Sequence, residues 1–428
     1  MPSHPGIRDY VPSLAAAVVG VSTAFVLFRR NPVASIVSYS GGNFDIIAAS
    51  LVVGAPLFLL IATKRFPYPD KWALASLLGG GWAALFVGMN EGLGSAATVL
   101  FVVAVTLFAA FTSFFLPTQG KNFLLWGPSV LLLVHQFAIT LLRGPLPGGF
   151  FGQGTGSIAF GHLMAIGFLV SYLLSKRSVR YHNVFFAGSA MFTIGVMLSG
   201  SRGALLGLVL AIALVHLRVF LRTGLSATSR ELRRFTYGGF LTVFPFFLPN
   251  IFMPGRGFAP VIQRKLIETF ELSEKVGSLE VPFYTAGRLE IWITTWQKFE
   301  NGMDVLFGTG RSSVETIFGM TYPHNLFLEL LLVGGLLTVV PFVLFLLALF
   351  LRMYNPAFDN RFEFFLLAMV TGVFSMFSGD LGYNIVFFYF LGLSYGQIRK
   401  QSGAPVWLGL SPRTRVPQLF SKWSGWKF

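Results

Sequence analysis

The stretch YPHNLFLELLLVGGLLTVVPFVLFLLALF, residues 322–350, decides the fold. From Leu326 to Phe350 it carries a single ionisable side chain, Glu329. An apolar run of about 20 residues crosses a bilayer as a helix, because the helix pairs all its backbone polar groups within one segment. The mouth of this run is polar: Tyr322, His324 and Asn325 stand where the helix begins. What that polar tip does depends on which side of a membrane it faces.

The same character recurs along all 428 residues, which are 54% hydrophobic and 11% charged. Soluble domains carry about 25% charged residues. Spans are expected at 11–28, 43–63, 72–89, 95–115, 123–142, 158–175, 183–199, 203–217, 235–252, 325–350, 363–379 and 384–398. The chain therefore reads as an all-α polytopic membrane protein with about twelve transmembrane helices and one long external loop containing helices. Residues 1–252 hold the first nine spans, 253–323 the long loop, 324–398 the last three spans and 399–428 a basic cytoplasmic tail. No small-residue cleavage site follows the first apolar stretch, so the first span is read as retained. The absence of cysteine excludes disulfides and thiolate-bound metals.

A formal net charge of +15 suggests nucleic acid at first sight. In a membrane chain the plainer reading is that basic loops hold the cytoplasmic side. Lys and Arg of the short loops, among them Lys64, Arg65, Lys71, Lys121, Lys176, Arg177, Arg180, Arg218 and Arg222, fall mostly on the side of both termini. That places both termini inside, with no nucleic acid as partner. The tail after residue 400 is then expected near anionic headgroups. In the long loop, VIQRKLIETFELSEK reads as a helix with a mixed charged face. GRLEIWITTWQKFENG puts Ile291, Trp292, Thr295, Trp296 and Phe299 on one stripe, as in a helix lying on the membrane or on the bundle top. Gly302 is expected to stop it.

With this topology a set of polar residues gathers at the external face. Arg202 lies in the turn LSGSRGALLG, beside Ser201; Arg143 opens an external loop; Arg288 and Arg311 belong to the long loop; His162 sits just inside the sixth span. Each has a plain explanation, since a terminal arginine snorkels and a histidine or asparagine at a helix start caps it. Together they suggest a site for a phosphorylated, lipid-linked substrate. Guanidinium forks match phosphate oxygens and helix N-termini favour anions. The same positive surroundings disfavour imidazolium at His324, leaving it neutral and able to accept a proton. No Asp-x-Asp pair or external carboxylate cluster suggests a divalent ion, and no GxxxxGK[ST] loop suggests nucleotide hydrolysis. No metal or cofactor is therefore expected.

Three segments, LSGSRGALLGLVLAIAL, GRLEIWITTWQKFENGMDVLFGTG and YPHNLFLELLLVGGLLTVV, resemble in that order the hallmark segments of bacterial O-antigen ligases and the related O-antigen polymerases. The resemblance covers roughly 198–345 and is hydropathic elsewhere. It implies an inverting, metal-independent glycosyltransferase of the multi-spanning membrane type. The donor it implies is a glycan on undecaprenyl diphosphate, at the periplasmic face of the inner membrane. The implied acceptor is the lipid A-core for a ligase, or another lipid-linked repeat for a polymerase. It matches Arg202 and Arg288 to diphosphate binding and His324 to acceptor activation. Arg143, Arg311, His162, Ser201, Tyr322 and Asn325 are further substrate-binding candidates. The stretch GQGTGSIAFGHLMA departs from the Gly-Asn-Pro-Asn-type segment of many relatives. A transporter or lipid-glycan flippase is the alternative of another class. Its mid-membrane candidates are Asp45, His135 and Glu329, without an obvious charged partner in their own helices.

Overall fold

The structure, a computed structural model, describes residues 7–29, 93–116, 122–144, 156–177, 180–223, 292–293, 295–310, 325–353, 362–376 and 384–402, with isolated positions at 81, 84, 85 and 233. All regular structure among these residues is helical. Among the described residues, ten helices have both ends placed: α1 (Ile7–Arg29), α2 (Leu93–Phe114), α3 (Asn122–Arg143), α4 (Gly156–Arg177), α5 (His182–Ser199), α6 (Arg202–Thr223), α7 (Gly302–Phe307), α8 (Leu326–Met353), α9 (Phe362–Ser375) and α10 (Ile385–Ser402). Five of them, α3, α4, α5, α6 and α8, are long and apolar enough to cross a membrane. The spans expected at 11–28, 95–115, 363–379 and 384–398 also fall on helices. Those at 43–63 and 235–252, the VIQRKLIETFELSEK stretch and the tail beyond 402 lie outside the described residues, and that at 72–89 is described only at 81, 84 and 85.

The helices pack in sequence-neighbour pairs, α4 on α5 and α9 on α10, and in distant pairs, α2 on α10 and α1 on α3. Helix α4 is the centre, enclosed by α3, α5, α6 and α9. Every residue from Ala159 to Tyr172 is buried, so this stretch, apolar apart from His162, Ser171 and the Tyr172 hydroxyl, has protein on all sides. Helix α8 is different. Leu336, Leu337, Val340, Leu344, Leu347 and Leu351 are exposed along its second half, as suits a helix that meets lipid tails there. Without a solvent-driven preference between Leu and lipid, close packing carries helix association. Accordingly Gly392 and Gly396 of α10 lie against the carbonyl oxygens of Thr106 and Ala110, where a Cβ would collide. A hydroxyl pair adds to this: Thr23 of α1 lies 3.1 Å from Tyr389 Oη of α10, and that Oη donates to Val19 O at 3.2 Å.

One end of the bundle is held by charge. Arg177 at the end of α4 donates to Asn122 Oδ1 at 3.2 Å and pairs with Glu363 at the start of α9. Arg218 of α6 stands 4.0 Å over the ring of Phe362. The ends of α4 and α6 and the starts of α3 and α9 therefore meet, and these are ends that the basic-loop pattern assigns to one side.

The loop helix expected at 287–302 is corrected in one detail. Helical residues reach Trp296, Thr295 is buried and Trp296 is 58% exposed, so the stripe is divided between core and surface. A turn follows at Gln297–Lys298, and Trp296 meets Phe299 edge-on at 5.8 Å. Gly302 does not stop a helix; it opens α7. Asn301 Oδ1 accepts from the N–H groups of Met303 and Asp304 at 2.9 and 3.0 Å, and Asp304 Oδ2 accepts from Asn301 N–H at 3.2 Å. This reciprocal cap fixes a helix start and overrides the helix-ending tendency of the glycine beside it.

Candidate active site at the ends of the ligase-like segments

The turn between α5 and α6 is two residues long, Gly200 and Ser201. Helix α5 ends on Gly200 in the left-handed region (φ 63), whose N–H donates to Met197 O at 3.2 Å. Glycine suits this closure because it has no Cβ to strain. Ser199 Oγ donates to Val196 O at 2.6 Å and accepts from Ser201 N–H at 3.0 Å. Ser201 is the N-cap of α6: its Oγ accepts from Ala204 N–H at 3.3 Å. Arg202 is the first residue of α6.

This turn has no room to move toward α4. A Cβ built on Gly161 would run into Ser199 Oγ and come to 2.7 Å of Ser201 Cβ. The next residue, His162, is fully buried and stacks on Phe374 of α9, with ring centroids 4.0 Å apart and planes 2° from parallel. Phe374 in turn lies against Gly207, one and a half turns into α6, where a Cβ would meet the ring at 2.6 Å. The structure thus brings together His162, Ser201 and the start of α6, through contacts of α4, α5, α6 and α9.

The remaining candidates are distributed over other elements. Arg143 is the exposed last residue of α3, followed by Gly144 at φ 78. Asn325 precedes α8 and caps it, its Oδ1 accepting from Phe327 N–H at 3.0 Å and Leu328 N–H at 3.2 Å. Glu329, one turn deeper, is buried. His324, Tyr322, Arg288 and Arg311 lie outside the described residues, and of Arg202 only the backbone is described. Of the transport candidates, His135 is on an exposed face of α3 and Asp45 is outside the described residues. Among the described residues, no three His, Asp or Glu side chains gather as metal ligands would.

Sequence reading did not single out the glycines that join α7 to α8. Helix α8 leaves helical geometry at Gly335 (φ 61, ψ −162). Near this break the Leu332 carbonyl accepts from Gly310 N–H at 2.9 Å. The signal was present as GTG at 308–310 and VGG at 333–335, both within the segments quoted above.

These elements fall within one stretch of similarity to known proteins. A family model described as O-antigen ligase matches residues 187–343. The match takes in the α5–α6 turn, α7 and the first part of α8, and so all three ligase-like segments. Neither a curated protein nor a solved structure is matched. Over residues 187–343 this helical chain is similar to the O-antigen ligase family.

Proposed function

We propose that the protein is an O-antigen ligase that moves a glycan from undecaprenyl diphosphate to the lipid A-core oligosaccharide at the periplasmic face of the inner membrane. The observation that carries this reading is the family match over 187–343, which spans Arg202, Arg288 and His324 together. Arg202 and Arg288 bind the diphosphate, with Arg143 and Arg311 as further anion contacts. His324 is the base. It takes the proton of an acceptor hydroxyl, and the oxygen attacks the anomeric carbon from the face opposite the diphosphate. The glycosidic bond to the diphosphate breaks as the new one forms, which inverts the centre. The departing diphosphate takes the electron pair, and fixed guanidinium charge stabilises it in place of a divalent ion.

The placement of Arg202 supports the anion role. A cation on the first residue of a helix is opposed by the helix dipole, and a bound anion favours both. The capping of α8 by Asn325 fixes where that helix starts, one residue after His324 in the sequence.

The test is an assay with purified protein in liposomes, lipid-diphosphate-linked glycan as donor and lipid A-core as acceptor, with a metal chelator present. Ligation in chelator is the expected result. A ladder of longer lipid-linked glycans without the acceptor identifies a polymerase. Solute counterflow without bond formation identifies a transporter.

A further inference from the structure

Gly308 and Gly335 lie in adjoining segments, and each needs to be a glycine for two separate reasons. Gly308 has φ 87 and ψ 163, and Gly335 has φ 61 and ψ −162. Both are in a region of backbone space that is essentially closed to residues with a Cβ. The space beside each is also taken. A Cβ on Gly308 would collide with the Leu332 carbonyl oxygen and come to 3.0 Å of Gly334 N. A Cβ on Gly335 would collide with the Leu306 carbonyl oxygen and come to 2.6 Å of Phe307 N. The arrangement is reciprocal: the main chain of the loop fills the place of a side chain on α8, and the main chain of α8 does the same for the loop. The bond from Gly310 N–H to Leu332 O closes the junction.

We infer that Gly308, Gly310 and Gly335 are positioning residues, a junction that docks the external loop into the break of α8 and so fixes the half-helix 326–334. That half-helix begins at the Asn325 cap, directly after His324. Its height and rotation are set by the docked loop, and the loop is anchored by the same contact. The inference rests on the transferase reading for its functional consequence. The docking itself stands on the geometry alone.

The experiment uses the full chain, which holds no cysteine of its own. Cysteines are placed at Leu306 and Leu336, both partly exposed and on either side of the junction. A short bifunctional thiol reagent is expected to cross-link this pair efficiently. Gly308→Ala and Gly335→Ala in that background are expected to lower cross-linking and to reduce kcat for glycan transfer about 10- to 100-fold, with donor KM within about twofold. Gly302→Ala, with nothing within 4 Å of its Cβ, leaves both readouts unchanged. Cross-linking the Gly335→Ala chain restores turnover toward that of the parent. Undiminished cross-linking and turnover in both glycine variants overturns the inference. Should those variants fail to reach the membrane, the parent pair still decides: turnover kept after cross-linking supports it, and turnover lost on locking overturns it. Absence of transfer from every chain, with cross-linking lost only in the two glycine variants, removes the transferase reading and upholds the docking.

Discussion

The Leu332 carbonyl oxygen stands where a Cβ on Gly308 would go, and the Leu306 carbonyl oxygen stands where a Cβ on Gly335 would go, although the 26 residues 309–334 lie between the two glycines in the chain. The contact joins two of the three ligase-like segments. Its consequence for stability is specific to position. Gly308→Ala should lower the stability of the purified chain by about 1–3 kcal/mol, read as a fall in Tm, because it combines backbone strain with a collision. Gly302→Ala should leave Tm unchanged or raise it, since a helical glycine in open space gains about 0.4–1 kcal/mol from the substitution. Equal Tm shifts for the two would contradict the docked arrangement.

The turn that places Arg202 is confined by Gly161. Gly161→Ala should displace Ser199 and Ser201, lower Tm and cut transfer at least about tenfold, since misplacing a charged group by about 1 Å suffices for that. Gly188→Ala is the matched control on the neighbouring helix. Its Cβ would find only Ser171, with Oγ at 3.6 Å and Cβ at 3.8 Å, both ordinary contacts. Transfer kinetics on both proteins test this, and a harmless Gly161→Ala would show that the turn is not held from α4.

Asn325 offers a way to separate capping from sugar recognition. Asn325→Ala should reduce stability by about 1 kcal/mol through loss of the cap to Phe327 and Leu328. Asn325→Asp and Asn325→Ser keep a capping oxygen and should keep both Tm and kcat near those of the parent. A loss of turnover in the Asp and Ser variants at normal Tm would assign the amide a direct contact with substrate.

At the basic end, Arg177 balances the carboxylate of Glu363, whose side chain is 6% exposed. Removing the cation leaves that carboxylate uncompensated. Arg177→Ala is expected to destabilise the chain by about 1–3 kcal/mol, discounted for the 30% exposure of the arginine. The double variant Arg177→Ala with Glu363→Gln should recover part of the loss. Thermal unfolding of the two proteins provides the check, and an unchanged Tm in the single variant would refute the role given to the pair.

Much of the fold is legible in composition and hydropathy, because a helix in lipid has to be apolar over its whole length. The expected spans over 123–142, 158–175, 183–199 and 325–350 each fall on a long apolar helix for that reason. The break inside 325–350 is not legible in this way. An apolar run has the same hydropathy whether straight or kinked, and Gly335 discloses itself only through its dihedral angles and its neighbour Leu306. Gly302 misleads for a related cause: its meaning depends on Asn301 and Asp304, which together start a helix at the place where a glycine alone would end one. Ser201 and Asn325 were readable as polar residues at helix mouths, and their capping bonds follow from residue type. Burial was not readable for His162, whose position near a span end gives no sign of the ring of Phe374 stacked on it.

The central claim is that a neutral His324 and fixed arginines carry out transfer from a lipid diphosphate. The most direct measurement is single-turnover glycan transfer by purified parent, His324→Ala and Arg288→Ala proteins, each first shown to have the parent's Tm. Transfer rates reduced at least about 100-fold in both variants are predicted, as expected for loss of a general base or of leaving-group stabilisation. Rates near the parent's in either variant would contradict the account.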